Sequence, residues 1–301
     1  MRLQPFIYRI SILFAFMIMS LCFSVYAASP VKLTHVHGLN YSADGKKVFI
    51  PSHHGLAIYS EGHWSKAKGP AHDYMGFSVT KDAFYTSGHP APGSPLKNPF
   101  GLIKSRDGGE TWENLGLTGE SDFHLLATGY ETNVVYVLNH APNSRMDRPG
   151  LYYTADDGKK WNFAKKQGVN GNVTGIGAHP SDSNVVAVGT NAGLYLSKDK
   201  GNHFQPIKNG MQILSIFFEL DQKHLWFSGF DGRVSLTRLN LETKKTESIT
   251  IPSMERDAVA YIAQNPVNHK EFTIATFKKD VYQSFDQGKT WKQIAKAGDT
   301  I

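Results

Sequence analysis

The chain has 301 residues, a formal net charge of +6 and a single cysteine. Its mild positive excess is spread along the chain, which excludes a nucleic-acid surface or a polybasic membrane patch. The length suits one large domain or two small ones, no Pro/Ser linker or low-complexity run divides it, and one cysteine excludes an internal disulfide.

At the start, Arg2 and Arg9 give a positive n-region, the apolar stretch Ile10 to Val25 that follows carries no charge, and Val25-Tyr26-Ala27 has the form of a cleavage site. Residues 1–27 therefore read as a secretory signal peptide, with an uncleaved N-terminal tether as the alternative. Cys22 lies inside this segment and follows the large Leu21, which argues against lipidation. Cleavage leaves 28–301 as a single cysteine-free domain, expected to be a secreted or extracytoplasmic monomer.

Past residue 30, short alternating runs such as Lys47-Val48-Phe49-Ile50 and Val134 to Leu138 read as strands. Asn-Gly and Asp-Gly turns punctuate them and no helical period is sustained, so the chain is all-β. Four octets then recur in order: SRDGGETW at 105–112, TADDGKKW at 154–161, SKDKGNHF at 197–204 and SFDQGKTW at 284–291. Their aspartates, Asp107, Asp156, Asp199 and Asp286, are 49, 43 and 87 residues apart. The last spacing is close to double, and SLTRLNLETKK from Ser235 fills the gap without the Asp turn. IYSEGHW at 58–64 is a further degenerate copy ahead of the first. Six units of roughly 45 residues, the length of a four-stranded blade, predict a six-bladed β-propeller, with seven blades as the alternative.

In each octet the Asp can accept backbone N–H groups across a hairpin turn while the Gly supplies a positive φ. The octet resembles the Asp-box of bacterial neuraminidase (BNR) repeats, found in sialidases, sortilin and photosystem assembly-factor propellers. The chain as a whole resembles secreted bacterial proteins called BNR-repeat or glycosyl hydrolase-like. The resemblance implies that the four octet aspartates are structural and remote from the ligand face. It does not imply an activity, because propellers host many unrelated functions.

Aligning on the octets places the inner strand of each blade at HVHGL (His35), DYMGF (Asp73), DFHLL (Asp122), NVTGI (Asn172), QILSI (Gln212) and AVAYI (Ala258). The second and fifth places are apolar throughout. The first and third places, on one side of the strand and roughly 7 Å apart, hold His35/His37, Asp73/Met75 and Asp122/His124 in blades 1 to 3 only. The loops between second and third strands reach the same face and bring His53, His54, His89, His140 and Arg145, with His72 just ahead of the second inner strand. Of 13 histidines, nine map to this half, His63 among them on an outer strand. A bond to a neighbouring blade accounts for any one of them, but not for the clustering. A His-x-His pair plus one more ligand makes a metal site. Candidate ligands are His35, His37, Met75 and His124, the thioether favouring copper over zinc.

Three function classes follow. Sialidase chemistry, as the resemblance implies it, needs three arginines on a carboxylate. Of Arg106, Arg145, Arg148, Arg233, Arg238 and Arg256, none opens an inner strand. Another glycosidase would need two facing carboxylates, with Asp73 and Asp122 as candidate catalytic residues. A binding module would use the Pro-rich loops HPAPGSPLKNPF (89–100) and HAPNSRMDRPG (140–150) toward a small molecule, glycan or protein. The reading favoured is a ligand- or metal-binding propeller.

Overall fold

A computed structural model of the chain describes residues 31–301, so the signal peptide expected at 1–27 lies outside the described residues. Every regular element described is a strand. Blade 1 holds β1 (Asn40–Tyr41), β2 (Val48–Ser52), β3 (Gly55–Ser60) and β4 (His63–Lys66). Blade 2 holds β5 (Asp73–Val79), β6 (Phe84–His89), β7 (Leu102–Ser105) and β8 (Glu113–Gly116). Blade 3 holds β9 (Leu126–Thr128), β10 (Val135–Asn139), β11 (Gly150–Thr154) and β12 (Asn162–Ala164). Blade 4 holds β13 (Val173–Ala178), β14 (Val186–Thr190), β15 (Gly193–Ser197) and β16 (Phe204–Asn209). Blade 5 holds β17 (Gln212–Phe218), β18 (His224–Phe230), β19 (Val234–Asn240) and β20 (Thr246–Ile249). Blade 6 holds β21 (Val259–Gln264), β22 (Phe272–Thr276), β23 (Val281–Ser284), β24 (Lys292–Lys296) and β25 (Asp299–Thr300). Each blade is one antiparallel meander paired in chain order, and the six sheets form a six-bladed β-propeller. The inner strands of blades 1 and 3 are shorter than the alignment implies, because HVHGL and most of DFHLL precede the laddered residues.

The hydrophobic core is divided among the blade interfaces. Phe49 and Leu56 of blade 1 pack with Tyr74 and Phe84 of blade 2. Tyr85 and Leu102 pack with Phe123 and Val137 of blade 3, and Tyr136 and Leu151 with Val188 and Tyr195 of blade 4. Ala187 and Leu196 meet Ile213 and Phe227 of blade 5, and Trp226 meets Phe272 and Ile274 of blade 6. This is why middle strands such as β14 are buried at every residue: Val186 and Val188 face one neighbour while Ala187 faces the other. Polar stitches join the inner strands, from Thr174 Oγ1 to the Ile213 carbonyl at 2.6 Å and from Ser215 Oγ to the Val259 carbonyl at 3.1 Å.

Blade 6 closes onto blade 1. Lys32 bridges Asp299 of β25, Leu33 N–H donates to the Gly298 carbonyl at 2.8 Å, and Thr300 Oγ1 donates to the Val31 carbonyl at 2.8 Å. Trp64 Nε1 donates to the Ile294 carbonyl at 3.0 Å, and the Tyr41 hydroxyl pairs with Thr273 Oγ1 at 2.6 Å. Closure leaves a central channel of about 520 Å³ lined by the inner strands.

The four octets fold alike at the turn between third and fourth strands. Ser105 Oγ donates to Asp107 at 2.8 Å and accepts Gly109 N–H at 2.8 Å, while Asp107 accepts Thr111 N–H at 2.9 Å. The same three bonds recur around Asp156, Asp199 and Asp286 at 2.7 to 3.0 Å. Gly109 and Gly288 stand at φ 88° and 81°, a region costly for a residue with a Cβ. Blade 5 has no octet. There, buried Glu219 accepts Trp226 Nε1–H and Arg238 Nε–H, and Asp221 accepts His224 Nδ1–H at 2.5 Å.

Trp226 is fully buried and stacks on Phe272 with ring centroids 4.4 Å apart. Trp226→Ala should therefore cost about 3–5 kcal/mol in urea unfolding, and a loss below 1 kcal/mol would mean the blade 5–6 wedge is not a stability determinant. The hydroxyl and N–H of Thr290 and the Ser284 hydroxyl hold the Asp286 carboxyl down to about 2 from the ordinary 3.8. A carboxyl lowered by folding stabilises the fold above its unfolded value, and that contribution fades as pH falls from about 4 to about 2. Asp286→Asn should flatten the fall in melting temperature over that window; an unchanged slope would acquit this turn of acid lability.

Candidate metal centre at the channel mouth

His35 and His37 lie on the extended segment that leads into β1, and His53 on the two-residue hairpin between β2 and β3. The segment is brought in by close packing: a Cβ on Gly38 would stand 2.8 Å from the Phe77 Cβ of blade 2, so only glycine lets the two inner strands approach. The rings then converge. His35 and His53 have centroids 4.3 Å apart, His37 and His53 5.2 Å, and His35 and His37 5.9 Å. Nδ1 of His35 faces Nε2 of His53. One nitrogen from each of the three rings falls within 4.8 Å of the others. A zinc-type ion with bonds of about 2.0–2.1 Å needs its nitrogens roughly 3.3 Å apart, a small adjustment from this arrangement.

Asp73, first residue of β5, sits behind the cluster. Its Oδ2 accepts from His53 Nδ1 at 2.6 Å, which leaves the His53 Nε2 lone pair turned toward the other imidazoles. Its Oδ1 is 3.7 Å from His37 Nε2, and both atoms are buried without a hydrogen-bond partner among the described residues. Burial pushes the His37 imidazole down to about 4, and the neighbouring His53 and His35 rings add to the fall against the pull of Asp73. His37 is thus neutral at physiological pH, the form in which an imidazole ligates a metal.

A second convergence lies one blade further round. His89 closes β6, and Asp122 and His124 lie on the segment leading into β9. Asp122 Oδ2 meets His124 Nε2 at 2.6 Å and His89 Nε2 at 3.1 Å. Asn98 from the Pro-rich loop, a residue the sequence reading passed over, holds His89 Nδ1 at 2.7 Å. His37 and His124 both line the channel, so the two clusters share one mouth.

Of the other expected site residues, Met75 is buried and is not part of the channel lining. His72 is buried against Phe100 and accepts the Ala91 N–H at 2.9 Å, a fastening for the 90–101 loop. His54 and His140 are exposed and outside both clusters. Arg145 is drawn away from the mouth, because its Nη1 donates to the Gly158 carbonyl at 2.5 Å and the Leu115 carbonyl at 3.3 Å, between the outer parts of blades 2 and 3. Asp107, Asp156, Asp199 and Asp286 stay in their turns. A third acidic-imidazole group, Glu219, Asp221 and His224, is paired with Arg238 and belongs to the blade 5 scaffold.

The profile of the family described as photosynthesis system II assembly factor YCF48 matches residues 93–301. No curated protein matches in sequence. Among solved structures the chain is similar to a GH74 enzyme of Niastella koreensis, at 17% identity and TM-score 0.60 over 88% of this chain and 46% of that one. It is similar to the GH74 xyloglucanase from Xanthomonas campestris at 17% identity and TM-score 0.56, again over 88% and 46%. It is similar to YCF48 from Cyanidioschyzon merolae at 14% identity and TM-score 0.52, over 91% and 89%. These likenesses concern the fold alone, and the chain spans about half the length of the two GH74 enzymes.

In metal-free protein, an NMR titration should find His37 protonating near pH 4. A midpoint near the ordinary 6.5 would mean that His37 is hydrated and not the dry nitrogen donor described.

Proposed function

This chain belongs to the photosynthesis system II assembly factor YCF48 family of BNR-type β-propellers, and on that premise we propose that it is an exported metal-binding propeller. His35, His37 and His53 hold one copper or zinc ion, and Asp73 orients His53 from behind. The observation that carries this reading is the convergence of three ring nitrogens within 4.8 Å, one of them fixed by a carboxylate on its far side. Imidazole suits both zinc and copper, and a carboxylate behind a ligating histidine sets its tautomer and raises its basicity. Three protein ligands leave one position for water or a substrate, the composition of catalytic rather than structural zinc sites. His35, His37, His53 and Asp73 all precede the stretch matched by the family profile, so the site would be a property of this chain's first blades.

A hydrolase with Asp73 and Asp122 as acid and base has less support. Each carboxylate is already engaged by imidazoles, Asp73 by His53 and Asp122 by His89 and His124. A partner-binding role has one specific observation in its favour. Phe230 and Phe277, 46% and 61% exposed, stand on the hairpins of blades 5 and 6 at the same face as the histidines.

The test is titration of metal-free protein with Cu(II), Cu(I) and Zn(II), following stoichiometry and melting temperature. At least one tight equivalent is expected, lost in His37→Ala and in His53→Ala but kept in His54→Ala. Asp73→Asn should weaken it about 10- to 100-fold. Free metal at 100 times Kd should add about 2.7 kcal/mol of stability. Uptake that neither His37→Ala nor His53→Ala alters would overturn the assignment, as would no uptake.

A further inference from the structure

The blade 2–3 cluster goes beyond that reading, because it shares no ligand with the three-imidazole site. We propose that His89, Asp122 and His124 form a second divalent-cation site, of two imidazoles and one carboxylate, with a different metal preference.

The two clusters differ in which ring nitrogen faces the carboxylate. In both blades a histidine at or just past the end of the second strand meets an aspartate at or before the start of the next inner strand: His53 meets Asp73, and His89 meets Asp122. The contacts are not equivalent. His53 uses Nδ1, so Asp73 stands behind the ring and Nε2 is left for a metal. His89 uses Nε2, and its Nδ1 lies 2.7 Å from Asn98 Oδ1. An amide oxygen only accepts, so the proton of neutral His89 is on Nδ1 and Nε2 presents a lone pair. That lone pair is aimed at a carboxylate oxygen 3.1 Å away, which also only accepts. For neutral His89 two acceptors at this separation repel, and either a second proton on the ring or a metal cation between them relieves the repulsion. His124 Nε2 converges on the same oxygen at 2.6 Å, and the three ligand atoms lie within 4.8 Å of one another. Asp122 Oδ1 is buried without a hydrogen-bond partner among the described residues, a second oxygen available to a cation. Asn98 therefore plays behind His89 the part that Asp73 plays behind His53, and the carboxylate moves to the front. One scaffold yields an all-nitrogen set in one blade and a mixed nitrogen–oxygen set in the next.

The chemistry separates the two sites. A hard carboxylate oxygen suits Zn(II), Mn(II) and Fe(II) and disfavours Cu(I), whereas three imidazoles accept copper. Metal-free full-length protein is titrated with Zn(II) and, separately, with Cu(I), with equivalents counted by calorimetry and by elemental analysis after desalting. Two Zn(II) equivalents but one Cu(I) are expected. His124→Ala and Asp122→Ala should each remove one Zn(II) and leave the Cu(I) equivalent. The His124 side chain is 56% exposed, so its removal spares the core; His124→Gln and circular dichroism guard against misfolding. Asn98→Ala should keep two Zn(II) equivalents at saturation but weaken one about 10- to 100-fold. Zn(II) uptake unchanged in both His124→Ala and Asp122→Ala would overturn this site and reduce the cluster to a hydrogen-bonded His–Asp pair. Uptake lost in these variants yet unaffected by His53→Ala would support it while sinking the blade 1 centre.

Discussion

No blade of this propeller has a core of its own. Each sheet is apolar on both faces and finds its packing partner only in the sheets beside it, so burial is a property of neighbours and the ring has to close. An open chain of the same blades would expose one face of the first and one of the last. The N-terminal segment meets that requirement by lying along β25, and Tyr41, Trp64 and Leu33 cross the same seam. The octets are subordinate to this packing. They fix the outer hairpins, and where blade 5 lacks one, the buried Glu219–Arg238 pair holds the corresponding sheet.

The same arrangement decides where chemistry can occur. Inner strands run side by side around the channel, so residues at their starts are brought beside hairpin residues of the preceding blade. His53 and His89 reach forward to Asp73 and Asp122 for this reason. Inter-blade contact also dries the site. His37 is held against blade 2, its carbonyl within 3.5 Å of the Phe77 N–H, and burial there keeps its ring neutral. The packing that closes the propeller thereby sets the protonation state of this imidazole.

Much of this was legible in the residues. The octets repeat with a spacing that only a blade explains, and HVHGL announces two imidazoles on one segment. Asp73, Asp122 and His124 were placed on the ligand face by alternation. What alternation cannot supply is the rotation of a ring or the reach of a long side chain. It therefore did not tell Nδ1 from Nε2 at His53 and His89, nor foresee Asn98 behind His89. Arg145 was assigned to the mouth by its loop, yet its guanidinium satisfies carbonyls of two other segments, a tertiary demand invisible in local pattern. Met75 shares its place in the repeat with His37, yet it is buried and stands apart from the channel lining.

The seam at β25 has one more consequence. Leu33 is bonded to Gly298, and two residues on comes His35, already among the three imidazoles. The clasp and the imidazole cluster are consecutive links on one strand of chain, in mechanical series. Tension applied at the N-terminal segment would first peel Val31 and Leu33 from the blade 6 edge and then draw His35 away from His53. A bound ion bridging those rings would act as a rivet behind the clasp. Force on one end of the chain and occupancy of the centre would then oppose each other, so the propeller would resist pulling more when loaded than when empty.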